Sequence, residues 1–148
     1  MFISVDPGQN VGVATFREDG TDINRKIYPL PEFRSFLQVV HQTVTVEPIS
    51  FIMEDYTLRH DKAIDQTGSN MPASRCIGAV EMMVTLLGNR SKIYLQKSGD
   101  LRGALKWAGY ASLANKPRTW HCPDDIAAYA HGVHRLINLG LRKHPIFD

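Results

Sequence analysis

Residues 1–16 read MFISVDPGQNVGVATF, and the change of character halfway along this stretch decides the fold. Phe2, Ile3 and Val5 form a short apolar run of strand type, Pro7 and Gly8 supply turn chemistry, and Val11, Val13 and Phe16 resume an alternating apolar pattern. The pattern predicts a β-hairpin with Asp6 at its lip. A carboxylate at the end of a central strand is costly to bury unless it is paired or bound to a cation. Asp6 therefore either caps the turn through its own side chain or meets a partner brought from elsewhere in the chain.

Working outward, Glu18, Asp19 and Gly20 make a second turn, and Ile23 to Tyr28 reads as a third strand, polar enough to lie near the sheet edge. Three antiparallel strands therefore open the fold. Pro29 and Pro31 interrupt the alternation, after which Phe33, Phe36, Leu37, Val40 and Val44 recur at helical spacing until Pro48. Ile49 to Met53 is a continuous apolar run of strand length, and a strand buried on both faces after a helical crossover runs parallel to its neighbour. It ends in Glu54, Asp55 and Tyr56. If the crossover lays this strand beside the first, Asp6 and Glu54 meet. Two adjacent carboxylates repel and raise each other's pKa unless a divalent cation neutralises them. The competing explanation is that strand ends are simply often polar.

Thr57 to Met71 is a polar loop carrying Arg59, His60 and Lys62. From Pro72 to about Leu87 the chain is helical, with Cys76, Ile77, Val80, Met83, Val84 and Leu87 in one apolar stripe and Ala79, Met82 and Leu86 in a second beside it. That arc is wider than one sheet face requires, so the helix is either deeply buried or faces another subunit. Lys92 to Gln96 reads as the last strand, Ser98 to Trp107 as a short helix, and Gly109 to Arg118 as a polar connection. The final helix is expected to take Pro123 as its first residue and to run to Gly140, burying Ile126, Ala130, Val133 and Ile137. Asp124 and Asp125 lie in its first turn, where the helix dipole favours negative charge; the dipole either explains both or keeps them ionised as metal ligands. Small Ala127, Ala128 and Ala130 behind them allow this helix end to approach a sheet closely.

The chain has 148 residues, of which 43% are hydrophobic and 22% charged, values expected of one soluble globular domain spanning 1–148. No stretch approaches the roughly 18 to 20 continuous apolar residues of a membrane span, and the N-terminus lacks signal-peptide character, so a cytoplasmic protein is expected. Cys76 and Cys122 are far apart without paired spacing, which argues for reduced thiols rather than a zinc site or disulfide. The net charge is only +2, but Lys92, Lys97, Arg102, Lys106, Lys116 and Arg118 face the single acid Asp100 in one segment. Such a segment either follows a phosphate backbone or is a solvated face.

Acidic groups at the ends of two strands and at the start of the last helix resemble the RNase H-like nuclease superfamily. Within it, the sequence is similar to the RuvC-type Holliday junction resolvases and to their bacteriophage branch. ISVDPGQNVGVATF resembles the family's first motif, FIMEDY its second and DDIAAYAHGV its last, while GSNMPASRCIGAVE resembles a segment of the phage members. The resemblance implies an α/β, RNase H-like fold: a mixed five-stranded sheet, three antiparallel strands then parallel ones, flanked by helices. It implies that Asp6, Glu54 and Asp125 are the catalytic, metal-holding carboxylates. Asp125 takes the last place because Ala128 and Ala130 then occupy the family's small positions; Asp124 fits that place less well, although it lies three residues after His121. The family often has His or Asp three residues before its final Asp; Cys122 stands there on this register, leaving Asp124 or His121 as the fourth ligand. The implied cofactor is a pair of Mg²⁺ ions roughly 4 Å apart, with Mn²⁺ as a substitute. The implied substrate is the four-way DNA junction, cut by a homodimer built on the 72–87 helix. Tyr56 is then placed to stack on an unpaired base, and Arg59, Lys62, Lys97, Arg102 and Lys106 to contact the DNA. Forks, flaps and RNA in hybrids are alternative substrates, because carboxylates do not specify DNA shape. An actin-like ATPase needs two such domains, and an inactive DNA-binding module is disfavoured by the presence of all the acidic positions.

Overall fold

The computed structural model describes residues 1–43, 47–55, 71–117 and 119–145. In chain order the elements are β1 (Phe2–Asp6), β2 (Asn10–Phe16), β3 (Asp22–Pro29), α1 (Leu30–Thr43), β4 (Ile49–Asp55), α2 (Pro72–Leu87), β5 (Ser91–Lys97), α3 (Leu101–Trp107), α4 (Ala111–Ala114) and α5 (Asp124–Asn138). The strands form one mixed sheet in the order β3-β2-β1-β4-β5. β1 pairs antiparallel with β2 and β2 with β3, whereas β4 runs parallel to β1 and β5 parallel to β4. This is the expected arrangement of three antiparallel strands followed by parallel ones. The polar β3 lies at the edge and is exposed along nearly its whole length, as a strand rich in Asn, Arg and Lys must be.

Alternation along the strands gives the sheet two apolar faces. On one, Ile3, Val5, Val11, Val13, Phe51 and Met53 pack with residues of α1 and α2 such as Phe33, Leu37, Val80 and Met83. On the other, Phe2, Ala14, Phe16 and Ile52 pack against Ala128, Val133 and Leu136 of α5. Burial of each large apolar side chain contributes about 1.5–3 kcal/mol, so these two layers, rather than the hairpin turn, hold β1 and β4 side by side. A smaller cluster of Ala104, Leu105, Ala114, Cys122, Ala127 and Ala130 joins α3 and α4 to the start of α5.

Two glycines set how closely α5 lies on the sheet. A Cβ on Gly12 of β2 would stand 1.8 Å from the Asp124 carbonyl oxygen and 2.9 Å from the Asp125 nitrogen, so the helix start rests directly on the strand backbone. A Cβ on Gly132, two turns on, would stand 2.4 Å from the Phe16 ring. These two positions add to the close approach expected of Ala127, Ala128 and Ala130, all of which are buried.

Several local features differ from the sequence reading. Pro123 is the N-cap of α5 rather than its first helical residue, with extended backbone at ψ 134°, because the helix begins only where it meets the strand. Pro31 does not break structure but sits in the first turn of α1, where its missing N–H costs nothing. The basic connection contains the short helix α4. Val44 lies outside the described residues. α2 has the predicted bounds; Cys76, Val80, Met83 and Leu87 are buried, while Met82 and Leu86 are 60% and 58% exposed. Both cysteines are free, and burial pushes their thiols up, Cys76 to about 12 and Cys122 to about 11, so neither is a thiolate at neutral pH. Among the described residues no helix is long and apolar enough to cross a membrane.

Candidate active site

The parallel register of β1 and β4 pairs Val5 with Met53, and the next residues along the two strands are Asp6 and Glu54. Both therefore reach the same end of the sheet, on the face covered by α5. α5 begins at that end, with Asp124 seated over Gly12, the residue opposite Asp6 in the β1–β2 pairing. Three acidic groups distant in sequence are thus brought together by one strand pair and one helix docking.

The electrostatics of Asp6 record this crowding. Its carboxyl is pushed up to about 8, first by burial, then by the negative charges of Glu54 and Asp124 and by a side-chain hydrogen bond to Asp124. A hydrogen bond that raises the pKa of an acid is one that its protonated form donates, so the contact with Asp124 favours a neutral Asp6. His121 approaches Asp124 from the solvent side, with Nε2 3.2 Å from Oδ1.

Asp125, which the sequence reading placed as the third carboxylate, lies elsewhere. Its Oδ2 is 3.7 Å from Nε of Arg25 on β3. The Arg25 guanidinium in turn lies over the rings of Tyr110 and Tyr129, so Asp125 belongs to a cluster fastening the sheet edge to α4 and α5. Successive helical residues point about 100° apart, so only one of two adjacent acids can face Asp6. The docking of α5 on Gly12 makes that one Asp124. His121, and not Cys122, then stands three residues before it.

A cleft of about 590 Å³ opens from the carboxylates. Asp6 and Glu54 lie against it together with His121 and Trp120, and Arg102 and Lys116 supply positive charge. Arg102 also reaches the Lys116 carbonyl oxygen at 3.4 Å. Of the basic residues expected to contact DNA, Arg102 is therefore brought to the site, whereas Lys97 and Lys106 are exposed but do not line the cleft. Tyr56, Arg59 and Lys62 lie outside the described residues, as does Arg118.

Lys116, part of the basic segment expected to follow a phosphate backbone, lines the cleft, whereas two cleft or contact residues were missed in the sequence. Trp120 stands beside that basic segment but was read only as the start of the final element. His131 is fully buried on α5, with Nε2 3.6 Å from Oε2 of Glu54. It stands seven residues after Asp124, a spacing that keeps both on one helix face.

Among the described residues no three His, Cys, Asp or Glu side chains close into a ready ligand cage. The donor set nevertheless fits a hard divalent cation. Asp6, Glu54 and Asp124 offer carboxylate oxygens, and the carboxyl of Asp6, pushed up first by burial and then by its two acidic neighbours, is one whose charged form a cation between them would stabilise. The absence of paired cysteines and the exposed position of His121 disfavour a soft or zinc-type centre.

No family model matches the chain, and a search of curated proteins finds no match. Solved structures do match. A Thermus thermophilus RuvC in complex with a Holliday junction substrate superposes with a TM-score of 0.53 at 12% identity, covering 95% of this chain and 96% of that one. A second Thermus thermophilus RuvC structure gives a TM-score of 0.53 at 14% identity, with 95% of this chain covered. At such identity the likeness is one of architecture. It runs nearly end to end along both chains, and the mixed sheet with its flanking helices has the RuvC-like, RNase H-like fold.

Proposed function

We propose that this chain is a metal-dependent nuclease that resolves four-way DNA junctions by phosphodiester hydrolysis, with Asp6, Glu54 and Asp124 as its metal-holding carboxylates. The observation that carries this reading is the crowding of Asp6 between Glu54 and Asp124 at the mouth of a cleft with a basic wall. The fold likeness supports it, and one of the similar structures is a complex with a Holliday junction substrate. The proposed cofactor is Mg²⁺, two ions per site, replaceable by Mn²⁺; when bound it supplies an activated water and charge stabilisation of the leaving oxygen.

The chain's own residues set the rest. Asp6 and Glu54, fixed by adjacent parallel strands, and Asp124, fixed by the helix seated on Gly12, hold their oxygens at one end of the sheet. His121 is the candidate fourth ligand, exposed and next to Asp124. Asp125 is a structural partner of Arg25 in this reading. Arg102 and Lys116 draw a phosphate backbone into the cleft, and Trp120 offers an aromatic surface for a base splayed from the crossover. Lys97 and Lys106, with Arg59, Lys62 and Tyr56 in the 57–71 region, extend the DNA contact beyond the cleft. Residues 1–148 act as a single nuclease domain. The exposed Met82 and Leu86, beside Ala79 on α2, form the homodimer face that symmetric cutting of a two-fold junction requires. The resemblance of the GSNMPASRCIGAVE segment to phage members supports a phage-branch protein acting in a host cytoplasm.

Incubation with a mobile four-way junction, a fork, a flap, an RNA/DNA hybrid and a plain duplex, with and without Mg²⁺, tests the substrate. Paired nicks in the junction alone are expected; preferential cutting of a fork, flap or hybrid reassigns the substrate while keeping the chemistry. Asp6→Asn, Glu54→Gln and Asp124→Asn are expected to abolish cleavage and keep junction binding, whereas Asp125→Asn keeps most activity. Cleavage by all three of the first variants refutes the metal-nuclease reading.

A further inference from the structure

The α5 helix carries a buried histidine that neither the core nor the three carboxylates explain. His131 is fully buried, and neither its Nδ1 nor its Nε2 has a hydrogen-bond partner among the described residues. Leaving both nitrogens of a buried imidazole without partners costs stability, and a leucine of similar size would not carry that cost. The ring is nevertheless directed at the site, with Nε2 3.6 Å from Oε2 of Glu54.

The backbone around it is held by bonds separate from apolar packing. Gln96, the buried β5 residue that pairs with Glu54 across the sheet, donates from Nε2 to the His131 carbonyl oxygen at 2.9 Å. Arg135, one turn further along α5, donates to the Leu95 carbonyl oxygen at 3.0 Å and to Gln96 Oε1 at 3.3 Å. This helix turn is therefore tied to the strand beside Glu54, which fixes where the imidazole stands relative to that carboxylate. A neutral imidazole protonated at Nε2 is a donor, and a carboxylate has acceptor sites on both oxygens.

We infer that His131 is a positioning residue, whose Nε2–H, fixed by the Gln96 clamp, orients the Glu54 carboxylate so that its other oxygen is preset to ligate a divalent cation. This rests on the proposed metal centre. Partners of this kind that orient a first ligand characteristically change metal affinity by 10–100-fold when removed.

The test uses the full chain as wild type, Asp6→Asn, His131→Leu and His131→Gln. Mn²⁺ affinity is measured by calorimetry, the Mn²⁺ environment by paramagnetic resonance, and thermal unfolding is followed in EDTA. The expected result for His131→Leu is a melting temperature in EDTA equal to or above wild type, together with Mn²⁺ binding weakened by about 10-fold or more. His131→Gln, whose side-chain amide also donates, is expected to recover affinity to within about 3-fold of wild type, a factor well inside the loss expected for Leu. His131→Leu binding Mn²⁺ as wild type does overturns the inference. So does an equal loss in Leu and Gln variants accompanied by lowered melting temperatures, which is the signature of a packing role. If His131→Leu does not fold, His131→Gln decides alone: near-wild-type affinity and spectrum support the inference and a 10-fold loss overturns it. If wild type shows no Mn²⁺ binding that Asp6→Asn abolishes, the metal centre itself is refuted, a result distinct from the others.

Discussion

Replacing Asp6 by Asn should stabilise the metal-free protein, and by an amount that grows with pH. Folded Asp6 keeps its proton up to about pH 8, because of burial and the neighbouring charges of Glu54 and Asp124, whereas an ordinary aspartate loses it near 3.8. Between those values the folded chain binds more protons than the unfolded one, so stability falls as pH rises and levels off above about 8. A single group of this kind imposes a slope of up to about 1.4 kcal/mol per pH unit. Over the whole shift the ceiling is about 6 kcal/mol. With water reaching the half-buried cleft, we expect about 2–4 kcal/mol. The assay is urea unfolding in EDTA at steps from pH 5 to 8.5, on wild type and Asp6→Asn. The variant should already be somewhat the more stable at pH 5, above the ordinary aspartate value of 3.8, and the gap should widen steadily towards pH 8. Saturating Mg²⁺ should flatten the wild-type slope and leave Asp6→Asn unmoved. Parallel slopes for the two proteins across this window in EDTA would refute the reasoning, because Asp6 would then not be the group that holds the extra proton.

Gly12→Ala should destabilise the fold by about 1–3 kcal/mol, the usual cost of overpacking, and displace the start of α5; Mn²⁺ affinity should fall with it. Gly132→Ala, which meets the edge of the Phe16 ring rather than backbone, should cost similar stability while leaving metal affinity near wild type; equal losses of affinity would show that the Gly12 contact does not place Asp124. Ala at Arg102, or at Lys97 and Lys106 together, should weaken junction binding for every sequence and reduce its salt dependence by roughly one unit of slope per lost phosphate contact, measured by fluorescence anisotropy at several salt concentrations. Unchanged slopes would make this segment a solvated face. Met82→Lys with Leu86→Lys should yield a folded monomer by analytical ultracentrifugation where wild type is a dimer, and a wild type that is monomeric at micromolar concentration while still making paired nicks refutes the proposed interface.

The part of the fold that was legible came from runs whose chemistry changes abruptly. FISVD and ISFIMED are apolar segments that end in acid, which sufficed to predict two buried strands, their parallel pairing and the meeting of Asp6 with Glu54. The choice between Asp124 and Asp125 was not legible in the last helix itself. Adjacent acids in a first turn enjoy the same dipole and the same propensities, and what separates them is the seating of that turn on Gly12, far away in sequence. A glycine inside a strand is the available signal for such an approach, but by itself it does not say which helix rests on it. His131 was hidden for a related reason. A histidine on a helix face reads as solvent-exposed or core until the strands opposite are known, and β4 with Glu54 and β5 with Gln96 lie side by side only after both crossovers are in place.

The late position of α5 also sets an order of events during synthesis. Seventy residues separate Glu54 from Asp124. At about 5–20 residues per second the ribosome takes about 4–14 s to cover that distance. Throughout that interval Phe2, Ala14, Phe16 and Ile52 have no helix to cover them, and Asp6 and Glu54 have no third acid beside them. On the proposed nuclease reading, a nascent chain in this interval is inactive, and its uncovered apolar face favours contact with other nascent chains. The step that ends the second condition, arrival of the helix on Gly12, is the same step that ends the first.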